Sequence, residues 1–283
     1  MNIAVLIKQV PDMDKVKFDS EKGLVDRTSA GVEINPFDLN ALEAAVSISE
    51  SIDSNVTAIT MGPPRGEESL KEAISRGAKE GILVSDKLFG GADTKATAIT
   101  LASAIKRMGN VDLIFAGEKT VDGDTGQVGA EVAEYLNIPH ISYVDEILEV
   151  NEKYIKVVSD ILDGRFIKIA KYPVLITVTK DINVPRIPSF KNKTKARKAE
   201  FPVWGLEEFK DISAQDVGLK GSPTKVKKIE VPKLITRECK KEKDNIDHFL
   251  DEIIAELTKL KVLEAWYEKR YFNICWAKKW CNS

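Results

Sequence analysis

The chain has 283 residues, with Lys+Arg 42 against Asp+Glu 44, so its length allows a large α/β core and its near-neutral charge excludes a global attraction to nucleic acid or anionic membranes. It has three cysteines, Cys239, Cys275 and Cys281, all near the C-terminus, and two histidines, His140 and His248. So few thiols and imidazoles support neither a disulfide framework nor a His/Cys metal site.

Residues 2–7 (NIAVLI) read as a strand, broken at Pro11, and the polar stretch to Glu33 as a hairpin or loop. Asn35-Pro36-Phe37-Asp38 opens a helix with Pro36 in its first turn and Leu39, Leu42, Ala45, Val46 and Ile48 inward. A strand over 56–61 stops at Gly62-Pro63-Pro64, and the next helix carries Leu70, Ala73 and Ile74 with Gly77 as C-cap. Residues 81–84 form a third strand and 94–108 a third helix, with Ala98, Leu101, Ala102 and Ile105 inward. No apolar run approaches the roughly 20 residues of a membrane span, and the first strand lacks a charged n-region, so a cytoplasmic chain without a membrane span is expected.

The chain is organised around residues 111–135, VDLIFAGEKTVDGDTGQVGAEVAEY. Val111, Leu113, Ile114, Phe115 and Ala116 form a buried strand closed by Gly117. After a Gly/Asp loop, Val128, Val132, Ala133, Tyr135 and Leu136 recur at helical spacing. The spacing predicts a helix from about Thr125, with Asp124 or Thr125 as N-cap. Such a loop aims free N–H groups and the helix dipole at one point, which suits a phosphate, and Gly123, Gly126 and Gly129 let a ligand approach the backbone. No established phosphate-binding spacing is present, so a glycine-rich turn without a ligand stands beside the nucleotide reading. Asp122, Asp124 and Gly126 imitate a calcium loop, but Ala133 occupies the position of its bidentate Glu, which excludes calcium.

Strands alternating with helices imply right-handed crossovers and a mostly parallel, Rossmann-like α/β sheet with ligands outside the carboxyl ends of the strands. Loops 8–11, 61–64, 85–91 and 117–126 then share one rim, and the first, second and fourth are expected to surround a nucleotide. Runs 144–150, 154–161 and 166–170 read as antiparallel edge strands, while 173–178 (PVLITV) returns to the parallel sheet. Residues 184–199 combine prolines at 185 and 188 with Lys191, Lys193, Lys195, Arg197 and Lys198 around Phe190. The alternatives are a solvated charged face and a docking knob for a protein. Residues 205–232 read as a surface linker, and Phe249, Leu250, Ile253, Ile254, Leu257 and Leu260 place an amphipathic helix at 247–262. The expected division is a nucleotide-binding domain over 1–204, including the 184–200 loop, followed by a linker and C-terminal arm over 205–283.

NIAVLIKQVPD at the start, NPFDLNALEAA at 35–45, MGPP at 61–64, VDGDTGQVGAEVAE at 121–134 and VPRIPSFKNKTKARK at 184–198 together resemble the β subunit of electron-transfer flavoproteins. The resemblance implies a heterodimer with an α subunit and a nucleotide pocket lined by Leu6, by Asn35, Pro36, Phe37 and Asp38, by Met61, and by the segment from Gly117 through Asp122, Gly123, Asp124, Thr125, Gly126 and Gln127 to Val128. It also implies a recognition loop in which Phe190, with Lys193, Lys195 and Arg197, meets an acyl-CoA dehydrogenase-type partner. The string DGDTGQVGAEVAE is similar to the flavin-bifurcating kind, which implies FAD reduced by NADH, with structural AMP as the alternative. No side-chain acid, base or nucleophile is called for, because a flavin carries the electron chemistry. A nucleotide-hydrolysing enzyme would need a phosphate-handling lysine, for which Lys119 is the one nearby. Residues 264–283, with Trp266, Trp276 and Trp280, have no counterpart in the resemblance and read as an atypical tail.

Overall fold

The computed structural model describes residues 1–12, 17–19, 24–26, 31–225 and 245–261; the cysteines and the tail from 264 lie outside them. The first half contains β1 (Asn2–Ile7), β2 (Gln9–Pro11), β3 (Lys17–Asp19), β4 (Leu24–Asp26), β5 (Val32–Ile34), α1 (Pro36–Ser51), β6 (Asn55–Met61), α2 (Glu67–Arg76), β7 (Glu80–Val84), α3 (Thr94–Met108), β8 (Leu113–Gly117) and α4 (Val128–Leu136). Then follow β9 (His140–Val150), β10 (Tyr154–Ile161), β11 (Gly164–Lys171), β12 (Val174–Val178), α5 (Phe190–Arg197), β13 (Val203–Trp204), α6 (Gly218–Gly221) and α7 (Ile246–Lys259). Among the described residues, no helix is long and apolar enough to cross a membrane.

One nine-stranded sheet runs in the order β11-β10-β9-β12-β8-β1-β6-β7-β13. Its pairs from β9 to β13 are parallel, and β10 and β11 are antiparallel additions. The parallel strands are apolar on both faces because helices cover both. Ile3, Val5 and Ile7 of β1 pack with Leu42, Val46, Leu70 and Ile74 of α1 and α2, and the alternate residues Ala4 and Leu6 pack with Leu101, Ile105, Val132 and Ala133 of α3 and α4. Succession from β1 proceeds outward to β6 and β7, then returns to β8 on the opposite side of β1. The order reverses between β1 and β8, and in open α/β sheets the carboxyl ends at such a switch point are where a ligand crevice forms.

The structure extends the expectation for the antiparallel strands. The start of β9 pairs in parallel with β12, whereas its later residues pair antiparallel with β10, so one strand serves both kinds of ladder. Tyr143, at φ 53, lies at the irregular register between the two. Residues following the basic segment also build the sheet. Val203 and Trp204 pair with Leu83 and Val84, and Phe209 and Val217 are buried beyond them. The chain divides into two compact units, Met1–Val231 and Pro232–Ser283, and α7 belongs to the second.

Candidate functional site

The carboxyl ends of β1 and β8 are joined by one side chain from the first turn of α1. Asp38 Oδ2 accepts the Lys8 N–H at 2.8 Å, and its Oδ1 accepts the Gly117 N–H at 3.0 Å. Pro36 starts the helix without needing an N–H donor, and the N-cap Asn35 makes no side-chain cap bond; the Asp38 N–H meets its carbonyl. Asn35 instead holds the following loop, donating Nδ2–H to the Lys119 carbonyl at 2.9 Å and accepting the Val121 N–H at 3.1 Å. Burial pushes the Asp38 carboxyl up to about 7, against the opposing pull of the Lys8 N–H, Asn35 and the Gly117 N–H. A Cβ on Gly117 would lie 2.5 Å from Asp38 Oδ1, so glycine is required for the strand end to approach α1. Asn35 and Asp38 are thus buried scaffold for the loop, while Pro36 is exposed and Phe37 half-buried at the crevice.

Beyond Val121 the loop is exposed through Gln127. Two ion pairs shape it, Lys8 to Asp122 and Lys119 to Asp124, each at 2.8 Å. Lys8 outweighs the partial burial of Asp122 and holds its carboxyl below the usual range. The Lys119 ammonium lies 5.8 Å from the Phe37 ring centroid, bringing the loop over the start of α1. Asp124 at φ 52 and Gly126 at φ 63 take left-handed turns.

Those turns delay the next helix. It begins at Val128 rather than near Thr125, and neither Asp124 nor Thr125 caps it: the N-cap is Gln127, without a side-chain cap bond. The first N–H groups of α4 therefore remain available beside an open lip, in keeping with the anion-binding chemistry of a helix N-terminus. The glycines divide by role. Gly126 permits the positive φ, and a Cβ at Gly123 would meet nothing closer than Thr120 Oγ1 at 3.4 Å. Gly129 does not face a ligand: a Cβ there would lie 2.4 Å from Thr177 Cγ2, so this glycine seats α4 on β12. Leu6 is buried, and the half-buried Met61 packs on the same α3/α4 side of the sheet as the helix N-terminus. Gln9 Nε2 donates to the Arg65 carbonyl and Ser69 Oγ, both at 3.3 Å, tying the first rim loop to the start of α2 and the turn before it. The third rim loop is covered by the chain's own later segment, as Ser85 N–H donates to the Trp204 carbonyl and Leu219 N–H to the Gly90 carbonyl.

A second exposed feature is carried by the 184–197 segment. Phe190 is 84% exposed at the first residue of α5, and Ser189 Oγ caps that helix through the Asn192 N–H. Buried Ala196 seats α5 in the core shared with α1 and α2. Lys193 and Arg197 line an open cleft of about 430 Å³ with Lys71, Glu72, Arg76 and Pro188, whereas Lys195 is exposed outside that lining. The preceding residues are strapped to α1. Asn40 and Asn183 exchange amide-to-carbonyl bonds at 2.9 and 3.0 Å, and Arg186 pairs with both Glu43 and Glu50. Sequence reasoning missed Arg186. The available signal was a pair of acids seven residues apart on α1, which places both on one helix face.

The electron transfer flavoprotein domain family matches residues 22–208. The electron transfer flavoprotein subunit beta of Clostridium acetobutylicum is 42% identical over 262 residues, covering 92% of this chain and 98% of the relative. That of Megasphaera elsdenii is 38% identical over 272 residues, covering 93% and 100%. The caffeyl-CoA reductase-Etf complex subunit CarD of Acetobacterium woodii is 40% identical over 227 residues, covering 80% and 86%. With a family match over residues 22–208 and near-complete coverage of these relatives, the chain belongs to the electron-transfer flavoprotein family, in its β-subunit branch.

Proposed function

We propose that this β subunit holds FAD at the β1/β8 crevice, receives reducing equivalents from NADH, and works in a bifurcating heterodimer serving an acyl-CoA dehydrogenase-type partner. The observation that carries the nucleotide reading is the uncapped start of α4 beside the exposed 121–127 lip at the topological switch point. The donor set fits a dinucleotide phosphate: backbone amides, a helix dipole and lysines already turned into the loop. When bound, the flavin supplies the hydride acceptance and electron transfer.

The chain's own residues bind and orient. Asn35 and Asp38 fix the loop from beneath, Gly126 supplies its reversal, and Phe37 and Met61 form apolar walls at the crevice. Lys8 and Lys119 hold Asp122 and Asp124, which keeps those carboxylates from opposing a phosphate. The CarD relative, a subunit of a caffeyl-CoA reductase-Etf complex, favours a CoA-ester oxidoreductase as partner. Phe190, Lys193, Lys195 and Arg197 are the proposed docking residues. A colourless β subunit holding AMP and acting as a docking module is the second reading, because AMP would place its phosphate on the same amides.

Acid release and chromatography of the nucleotides from the purified αβ heterodimer decide between them. The expected result is a second FAD beside the α-subunit flavin and a bleach of the flavin spectrum on adding NADH. One FAD with one AMP, and no bleaching, would establish the alternative.

A further inference from the structure

The docking residues expected from sequence are Phe190 and the lysines after it, yet the two large apolar side chains before it are as exposed. Val184, Ile187 and Phe190, three residues apart, are 89%, 88% and 84% exposed. Pro185 and Pro188 alternate with them and fix φ along this non-helical run. The polar groups of Arg186 turn the other way. Its N–H donates to Glu43 Oε2 at 3.0 Å, its guanidinium meets Glu43 and Glu50, and its carbonyl accepts Arg76 Nη1–H at 2.7 Å. Arg76 is in turn paired with Glu72 of α2. The segment is thus fastened to two helices by backbone and side chain, while every third side chain projects into water.

We infer that Val184, Ile187 and Phe190 form one apolar rib that inserts into a row of apolar pockets on the redox-partner protein, and that Arg186 is the positioning residue that holds the rib in its binding shape. The inference rests on the docking reading above and extends it from one anchor to three. Charge identifies the occupant. Lys191, Lys193, Lys195, Arg197 and Lys198 follow the rib, and Lys71, Arg76, Lys193 and Arg197 line the adjoining cleft, in which Glu72 is the one acid. The complementary surface is therefore an apolar groove rimmed by carboxylates. Fastening before contact keeps the ordering loss on association small, which is how a short exposed segment can bind without folding on its partner.

The test uses the αβ heterodimer with a purified butyryl-CoA dehydrogenase as probe, measuring the rate of electron exchange against dehydrogenase concentration at two ionic strengths. Val184→Ser, Ile187→Ser and Phe190→Ala are each expected to raise the KM for the dehydrogenase about tenfold, with the rate at saturation and the flavin content unchanged. Arg186→Lys keeps the charge but not the forked bonds to Glu43 and Glu50, and is expected to raise KM with no added dependence on salt, whereas Arg186→Gln also unmasks the two carboxylates and is expected to raise it further. Lys193→Glu is expected to raise KM in a manner that added salt reduces. If Phe190→Ala alone has an effect, the rib is overturned while the docking reading stands; if none of the three has an effect, both fall. A salt-dependent loss in Arg186→Lys, or none at all, would overturn its positioning role. Dissociation of the α subunit, or a change in heterodimer mass, in the rib variants would assign the surface to another occupant and overturn the inference.

Discussion

Replacing Asp38 with Asn isolates the side chain that joins the ends of β1 and β8, and its effect has a worked dependence on pH. In the folded protein burial raises this carboxyl from 3.8 to about 7. The folded state then binds the proton more tightly than the unfolded chain, so the contribution is fully present below the unfolded value and is lost as pH rises through the folded one. Between about pH 5 and about pH 8 the loss amounts to roughly 2.5 kcal/mol. Asn does not titrate. Its single oxygen can accept either the Lys8 or the Gly117 N–H, and its amide then faces the other donor, at a cost of about 1–3 kcal/mol for a buried N–H left unpaired. The variant should therefore be clearly weaker than the parent at pH 5 and close to it at pH 8, where the parent buries a charge. Urea unfolding at both pH values, followed by far-ultraviolet circular dichroism, gives the difference directly. Subtracting variant from parent cancels His140, whose pKa is lowered by burial and Lys168 and which works in the opposite sense. If parent and variant lose stability in parallel across the window, Asp38 is not the titrating group and the account of the crevice is wrong.

Gly126→Val forces a β-branched residue into φ 63, a conformation costing roughly 1–2 kcal/mol even for an unbranched L-residue, and should release the nucleotide; full occupancy after gel filtration would refute the assignment of this loop. Gly129→Ala places a methyl against Thr177 Cγ2 and should cost about 1–3 kcal/mol, measured as a lower urea midpoint. Adding Thr177→Ser removes that methyl while keeping the hydroxyl that meets His140, and should restore most of the loss; no recovery would mean that α4 is seated some other way. Cutting the chain before Asp247 removes nearly all of α7 with its Phe249, Ile253 and Leu257 stripe, and should weaken α-subunit association in analytical ultracentrifugation.

Periodicity and punctuation located the regular elements well. The third helix has the expected bounds, Thr94–Met108, because Asp93 and Gly109 mark both ends, and Pro36 and Gly77 mark the start of α1 and the end of α2 in the same way. Local signals failed where a distant group supplied the partner. Asp124 was a plausible cap for α4 until Lys119 claimed its carboxylate and a left-handed turn carried it away from the helix. Gly129 looked like its neighbours Gly123 and Gly126, and only Thr177, 48 positions later in the numbering, gives it a packing role. Polar composition likewise concealed the way residues 203–217 complete the sheet, since two strand residues and the buried Phe209 and Val217 carry no period. The rim of loops proposed to hold a nucleotide was legible in the order of the elements; the Asp38 bridge beneath it was not, because its two backbone donors lie far apart in sequence.

The strand order also governs what a ribosome-bound chain exposes. Once Gly117 has emerged, β7-β6-β1-β8 can assemble in parallel, yet both borders of that half-sheet are bare. The β8 border is filled by β12, which is synthesised after the β9-β10-β11 meander and must enter between β9 and β8, while the β7 border waits for Val203 and Trp204. Translation thus presents two open apolar ladders for the time needed to make tens of further residues, roughly several seconds at ordinary synthesis rates, and chaperone dependence should concentrate in that interval.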